Sequence, residues 1–428
     1  MKDQEDIGIE IFKLCKKLWP HNRSITGKGT LKTLCELKKI IPDIEIKSFN
    51  SGTKVFDWEI PDEWNINEAF IITPDGKKIC DFKKNNLYVV NYSTSVECEI
   101  SLKELKKNLY SIPERPDAIP YVTSYYKRRW GFCIEHNLLR KLKEGKYKIK
   151  IDSSLNKGKL NYGELILPGI KKEEILLSTY ICHPSMANNE LSGPTVTTFL
   201  AKWLLKLKDR KYTYRILFIP ETIGSIAYLS RNYKKLKKLT KAGFNITCVG
   251  DNRAYSYLPS RDGNTLSDYV AKHVLKWIDK NYKVYSWLER GSDERQYCSP
   301  GIDLPIASIM RTKYGCYPEY HSSEDDLVKV VNPEGLKGGF LAIKKALQVI
   351  ENNYKPLNQN LCEPQLGKRN LYPNITRRSV DQESRTLLNI LSFCDGNNSI
   401  LDISEKLNKP FWVIYEKSIL LKKEKLIN

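Results

Sequence analysis

Four side chains are spaced so that together they could run a hydrolysis. His183 follows an apolar run ending at Thr179, and Glu221 follows one ending at Ile219. Asp251 follows a run ending at Gly250, and His321 one ending near Met310. Imidazoles and carboxylates without thiolates suit Zn²⁺ or a similar divalent ion. A hydrolytic site of that kind needs imidazoles to hold the ion, an open position for water, and a carboxylate to take the water's proton.

The elements that must position these groups can be read from periodicity. Ile7 to Trp19 and Leu31 to Ile40 carry apolar residues at helical spacing. From about Phe49 the chain changes to short alternating runs, such as Val55–Ile60, Ala69–Ile72, Leu87–Val90, Val96–Ile100 and Tyr147–Asp152. This is a β-rich stretch of roughly one hundred residues. Beyond it, Glu174–Thr179, Arg215–Pro220, Asn245–Gly250 and Ile306–Met310 read as strands that are apolar throughout and alternate with helices. Such strands are buried on both faces, so the fold class is α/β, a doubly wound and mostly parallel sheet. In that architecture ligands bind beyond the carboxyl ends of the strands, where the four residues fall. Leu341 to Ile350 closes the region as a helix, and Tyr354 to Pro373 reads as a linker. Asp381–Phe393, Ile400–Leu407 and Pro410–Lys423 form a helical trio with the outline of a winged-helix-like module. The expected division is 1–48 and 156–355 for the α/β domain, 49–155 for a nested β-rich domain, 356–376 for the linker and 377–428 for the winged-helix-like domain.

Composition excludes several classes. A chain of 428 residues, 41% hydrophobic and 11% aromatic, is too large for a disulfide-stapled scaffold and too apolar for a disordered one. The 11 cysteines are scattered singly with no Cys-x-x-Cys pair, which fits reduced, mostly buried thiols. No apolar stretch is long enough to span a membrane, and the acidic, polar start is unlike a signal peptide, so a cytoplasmic location without membrane insertion is expected. The net charge of +20 comes from lysines spread along helix faces, as at Lys234, Lys235, Lys237 and Lys238. That pattern is a solvated surface rather than a nucleic-acid footprint.

Family resemblance rests on a series of motifs. Ile181-Cys182-His183-Pro184-Ser185, Ala187-Asn188-Asn189-Glu190-Leu191-Ser192-Gly193, Pro220-Glu221-Thr222-Ile223-Gly224, Gly250-Asp251-Asn252 and Tyr320-His321-Ser322-Ser323-Glu324-Asp325 resemble, in order and spacing, the motifs of M28-type zinc aminopeptidases. Arg23–Gly27, Ser51–Trp58 and Pro120–Tyr126 resemble more closely a bacterial aminopeptidase-like group whose members often accompany surface-polysaccharide biosynthesis genes. The resemblance covers nearly the whole chain. It implies a zinc-aminopeptidase-like fold with a nested β-rich domain and a closing winged helix. It also implies that His183 and Asp251 bind one metal, that His321 contributes to a second, and that Glu221 is the general base. Two positions depart from the peptidase pattern. The usual bridging aspartate is Asn189, and the second acid of the usual Glu-Glu pair is Thr222. An amide brings no charge to a cation, so one zinc per chain is expected rather than two, with Glu190 able to supply the missing charge if it turns inward.

Each residue has a structural alternative. His183 could be a capped loop histidine, Glu221 and Glu190 could be first-turn helix acids, and Asp251 could make an Asx turn with Asn252. Asp325 and Asp326 could orient His321 or begin a helix, the second being favoured. Arg23, Arg253, Arg261 and Asn189 are candidate substrate contacts, the arginines through forked bonds to an anion. Tyr125 to Trp130 has the composition of a recognition loop or of packing at a domain junction. The last helix, with Phe411, Trp412, Val413, Ile414 and Tyr415, is too apolar to read DNA and suits a protein contact or homo-oligomer. The expected function is a metal-dependent hydrolase of a small peptide or amide substrate. A non-catalytic scaffold on a degenerate peptidase fold is the alternative, and a DNA-binding regulator the third reading.

Overall fold

The computed structural model describes residues 2–371 and 382–428. The expected start of the last helical trio at Asp381, and residues 372–376 of the expected linker, lie outside the described residues.

The chain opens with α1 (Lys2–Leu18) and α2 (Lys28–Ile40) and then enters β1 (Glu45–Asn50). A four-stranded antiparallel sheet follows, built from β2 (Glu63–Ile72), β3 (Lys78–Ile79), β4 (Val96–Ser101) and β5 (Lys146–Asn156) in the order β3-β2-β5-β4. Its inward alternation buries Ala69, Ile71, Ile149 and Ile151 in a core of its own with Phe132 and Tyr147.

The chain then rejoins the main sheet through β6 (Lys159–Leu167), β7 (Lys171–Tyr180), β8 (Tyr212–Ile219), β9 (Thr240–Asn245), β10 (Ser256–Leu258), β11 (Lys283–Val284) and β12 (Ile306–Met310). The order is β1-β6-β8-β7-β9-β12-β10-β11. The pairings among β8, β7, β9 and β12 are parallel, whereas β1–β6 and β6–β8 are antiparallel. Strands β7, β8 and β12 are buried nearly end to end, which is why they read as unbroken apolar runs. The buried Arg215 of β8 is matched by Glu174 and Glu164 at 2.6 Å each, so its charge is compensated inside the sheet.

Two elements differ from the sequence reading. The strand expected over Asn245–Gly250 lies at Thr240–Asn245, because α3 (Ile223–Leu239) runs straight into it and Ser178 pairs with Asn245 as the last rung. The helix expected from Leu341 starts at Pro333 and runs to Asn352. Its glycines hid the first two turns through their low propensity. They are needed there, since a Cβ at Gly335 would lie 2.1 Å from the Gly250 carbonyl oxygen and one at Gly339 2.2 Å from that of Val249.

The chain forms two compact units. One comprises the residues up to Asp268 with Tyr282–Leu341, the other Tyr269–Asn281 with Ala342–Asn428. The second unit carries helices Gln382–Ser392, Ile400–Lys406 and Phe411–Lys423, and residues 357 and 358 bridge to Asp395 and Ile427. Within it, the buried His273 accepts the Phe411 N–H through Nε2 and pairs through Nδ1 with Glu405. Phe411, Ile414 and Leu421 are buried, while Ile419 and Leu420 are exposed. Seven of the eleven cysteines are buried and none is bridged. Among the described residues no helix is long and apolar enough to cross a membrane.

Candidate active site

The loops after β7 and β8 and the loop around His321 meet at one cleft of about 360 Å³, lined by His183, His321, Glu221, Thr222, Cys182 and the aromatic rings of Trp58, Tyr121, Tyr125 and Tyr126. The two imidazoles have ring centroids 5.7 Å apart. Tyr121 lies against both, at 5.1 Å from His183 and 5.3 Å from His321, and its N–H donates to the His321 carbonyl. Tyr320 stacks on His321 at 3.9 Å. Ser185, Thr222 and His321 adopt left-handed backbone in these loops, as does Cys248 in the loop after β9. That conformation is costly for non-glycine residues and tends to gather where a site demands it.

His183 is fixed from behind. Glu190 Oε2 accepts from the Cys182 N–H at 3.2 Å, the His183 N–H at 3.0 Å and the imidazole Nδ1 at 3.2 Å. A carboxylate can only accept, so Nδ1 carries a proton, and in the neutral ring the lone pair is on Nε2. The second oxygen of Glu190 lies 3.1 Å from Arg23 Nε, both side chains being fully buried. Arg23 also donates to the carbonyls of His183 and Leu18.

Glu221 faces the free side of that ring, its Oε2 lying 3.7 Å from His183 Nε2. Ser292 holds the other oxygen at 2.7 Å. Burial raises the Glu221 pKa, opposed by the His183 charge and the Ser292 bond. His183 is pulled down by burial, but its bond to Glu190 and the Glu221 charge outweigh this and raise it. His321 is pushed down to about 3 by burial and by His183, which leaves it neutral. Asp293, buried behind Glu221, is pushed up to about 7 by burial and by the Glu221 charge. It accepts the Thr222 N–H at 2.8 Å and the Ser225 hydroxyl at 2.7 Å. Arg295 Nη2 donates to the Thr222 hydroxyl at 2.6 Å, while its buried Nε has no acceptor.

The structure brings His183, His321 and Glu221 together and places the other candidates elsewhere. Glu190 lies on the Nδ1 side of His183, where Arg23 neutralises it. Asp251 is buried and accepts four bonds, from the Arg253 N–H, the Asn188 amide, and the N–H and hydroxyl of Thr312. Asn189 is buried and accepts from the Tyr180 hydroxyl at 2.6 Å. Arg253 is forked onto Glu319, and Arg261 pairs with Asp303. Asp325 neither orients His321 nor begins a helix. It caps the turn at 187–191 by accepting the N–H groups of Asn188 and Asn189 at 2.7 and 2.9 Å, because that turn carries otherwise unpaired donors. Asp326 accepts from Val328 and Lys329 in a local turn. Of the Tyr125–Trp130 run, Tyr125 and Tyr126 line the cleft, whereas Arg128 pairs with Asp62 and Arg129 is bonded to Ser124, Thr123 and Tyr110.

Among the described residues, three donor atoms lie within 4.8 Å of one another at Cys182, His183 and Glu190. This group is a poor cation site. It uses the protonated Nδ1, Arg23 already compensates the carboxylate, and burial raises the thiol pKa well above its usual range. On the cleft side the candidate ligands are His183, the neutral His321 and Glu221, which line it together.

Ser292, Asp293, Arg295 and Tyr121 were not singled out by the sequence reading. The signal for the first three is the dense polar run Ser292-Asp293-Glu294-Arg295-Gln296 lodged between apolar segments, while Tyr121 lies within the Pro120–Tyr126 motif.

The sheet and cleft define an α/β protein of the zinc-aminopeptidase architecture. The chain superposes on BSAP, a zinc aminopeptidase from Bacillus subtilis, with a TM-score of 0.58 at 12% identity, covering 81% of this chain and 94% of that one. The chain belongs to the family described as a domain of unknown function (DUF4910), whose model matches residues 12–353, and a winged helix-turn-helix model matches residues 354–428. It is 46% identical over 413 residues to a Clostridium acetobutylicum protein named "Putative polysaccharide biosynthesis protein with aminopeptidase-like domain", covering 96% of this chain and 94% of that one. A crystal structure of a "putative peptidase" from Clostridium acetobutylicum aligns with a TM-score of 0.93 at 43% identity, covering 100% of this chain and 97% of that one.

Proposed function

We propose that the chain is an aminopeptidase-like, zinc-dependent hydrolase that cleaves a peptide or amide bond in a small substrate of cell-surface polysaccharide or envelope metabolism. The observation that carries this reading is the convergence of His183, His321 and Glu221 on one aromatic-walled cleft at the carboxyl edge of the sheet. His183 Nε2 and His321 would hold a single zinc ion. When bound, such an ion makes water acidic enough to be ionised near neutral pH. Glu221 would accept a proton from the water whose oxygen adds to the substrate carbonyl carbon, and would return it to the amine nitrogen as the C–N bond breaks. Burial raises the Glu221 pKa, which strengthens it as a proton acceptor, and the Ser292 bond holds its other oxygen. Tyr121 and Tyr125 exclude bulk water from the other side.

The reading is tested with zinc-supplemented full-length protein and a panel of aminoacyl and amide substrates. Chelator-sensitive turnover that Glu221→Gln abolishes is the expected result, together with about one zinc per chain that His183→Ala loses. Full turnover by Glu221→Gln would refute the assignment. A second reading, a non-catalytic ligand-binding protein on a degenerate peptidase fold, is favoured by Asn189, Thr222 and the four bonds that occupy Asp251. It predicts no hydrolysis of any panel member and no bound zinc.

We also propose the domain division set out above, a cytoplasmic location, and a protein-contact role for the winged-helix module. The exposed Ile419 and Leu420 support that last role over DNA binding.

A further inference from the structure

We propose that residues 115–121, on the segment inserted between β1 and β6, position His321, and that Arg115 acts on that histidine through Glu324. The inference rests on the cleft reading for the role of His321 and adds the groups that hold it in place.

The two imidazoles of the cleft are held differently. Glu190 accepts from Nδ1 of His183 and fixes that ring from behind. Among the described residues no hydrogen bond reaches the His321 imidazole, whose surroundings act on it only through burial and the His183 charge. Its orientation is left to its backbone and to ring contacts. That backbone is left-handed, with φ 56°, a conformation that a histidine keeps only when neighbouring structure imposes it. Tyr320 of its own loop stacks on the ring at 3.9 Å, and Tyr121 meets it edge-on at 5.3 Å.

Tyr121 belongs to a short antiparallel clip. Pro120 pairs with Ser322, the Tyr121 N–H donates to the His321 carbonyl, and the Ser323 N–H donates to the Ile119 carbonyl, both at 2.9 Å. Proline fits the middle of this clip because the Pro120–Ser322 pair is one in which neither N–H crosses the ladder. The Ile119 N–H adds a bond to the Ser323 hydroxyl at 3.0 Å. Ile119 is buried with Leu87, Val90 and Cys133, which ties the clip to the inserted segment. At the outer end, Arg115 Nε and Nη2 both reach Glu324 Oε2. Arg115 and Glu324 are 29% and 21% exposed, so water screens the pair only in part. Lys329, at 3.7 Å from the other oxygen and 61% exposed, is the weaker partner.

The test uses full-length protein, its histidine Cε1–H resonances and a zinc titration. In metal-free protein, Arg115→Glu sets two carboxylates against each other and should shift the His321 resonance, because that ring lies against Tyr320 and Tyr121. The His183 resonance should move far less, since Glu190 holds that ring. Adding Glu324→Arg restores the pair with its charges exchanged and should return His321 to its place. Zinc affinity should fall about 10-fold in Arg115→Glu and recover in the double variant. If Arg115→Glu fails to fold, Ser323→Ala, which removes the hydroxyl that accepts the Ile119 N–H, should give the same shift at His321 alone. An unmoved His321 resonance, equal shifts at both histidines, or a double variant that stays displaced would overturn the proposal, as would unchanged zinc affinity in a protein that binds zinc. If the unsubstituted protein takes up no zinc, the cleft reading fails by itself, and the metal-free resonances still decide the clip.

Discussion

Replacing Arg23 by methionine removes the cation from a fully buried ion pair and should be among the most damaging single changes in the first unit. Glu190 Oε1 has Arg23 as its charge partner at 3.1 Å, while Oε2 is already shared among three N–H groups. At that separation the attraction is about 5 kcal/mol for an effective dielectric of about 20. Breaking a buried pair from one side typically costs about 3–5 kcal/mol. The expected loss for Arg23→Met is therefore about 3–5 kcal/mol, read from urea unfolding followed by tryptophan fluorescence. The double variant Arg23→Met/Glu190→Gln should recover about 1–4 kcal/mol of it, because the stranded charge is gone. A long-range ¹H–¹⁵N spectrum of His183 gives a second reading. The Nδ1–H tautomer should dominate in the unsubstituted protein and lose that dominance in the double variant. An Arg23→Met cost below about 1 kcal/mol, or a double variant as unstable as the sum of its singles, would show that Arg23 does not hold Glu190 and His183 in place.

Three other outcomes are expected. Gly193→Ala should destabilise by about 1–3 kcal/mol in the same unfolding assay, since its Cβ would lie 2.4 Å from Thr179 Oγ1 and 2.5 Å from the Ile246 carbonyl oxygen. Asp325→Ala should cost about 2–4 kcal/mol by leaving the Asn188 and Asn189 N–H groups and the Tyr317 hydroxyl unpaired. His21 has its pKa pushed down to about 4 by burial and by the Arg23 charge. The unfolded imidazole takes up a proton near 6.5 and the folded one does not until about 4, so stability is intact above about 6.5 and is lost as pH falls through that window. His21→Gln should flatten that part of the pH–stability curve, and an NMR titration placing the His21 pKa near 6.5 would contradict the account.

The parallel core was legible because β7, β8 and β12 are buried on both faces and leave unbroken apolar runs, and because chemistry collects at their carboxyl ends. Periodicity cannot report where a strand stops pairing, so β9 was placed five residues late. Nor can it see a helix whose glycines are dictated by the backbone they touch, as in the stretch from Pro333. At the site, residue type and strand-end position picked out His183, His321 and Glu221. They could not say which acids face the cleft. Glu190 and Asp251 look like ligands by type, yet in three dimensions one sits behind an imidazole beside Arg23 and the other is saturated with donors. Ser292 and Arg295 escaped because they touch Glu221 and Thr222 in space but lie far from them along the chain.

The antiparallel pairing of β1 with β6 has a consequence for how this protein can be taken apart. Asn50 stands opposite Lys159, and Ser51 donates its N–H to the Gly158 carbonyl, so the chain leaves and re-enters the main sheet at adjacent positions. Residues 51–158 are thus the loop of a β-hairpin, grown to the size of a domain. A two-residue turn such as Asn-Gly could in principle span the same gap. Its removal would take away Trp58, Tyr121, Tyr125 and Tyr126 and leave His183, Glu221, Arg295 and His321 on the main-sheet loops. The aromatic wall of the cleft and the histidines and Glu221 that line it thus come from different stretches of chain. Any exchange must keep their shared seam, where Val55, Ile60, Trp64 and Tyr92 pack with Leu176, Leu217 and Ile219.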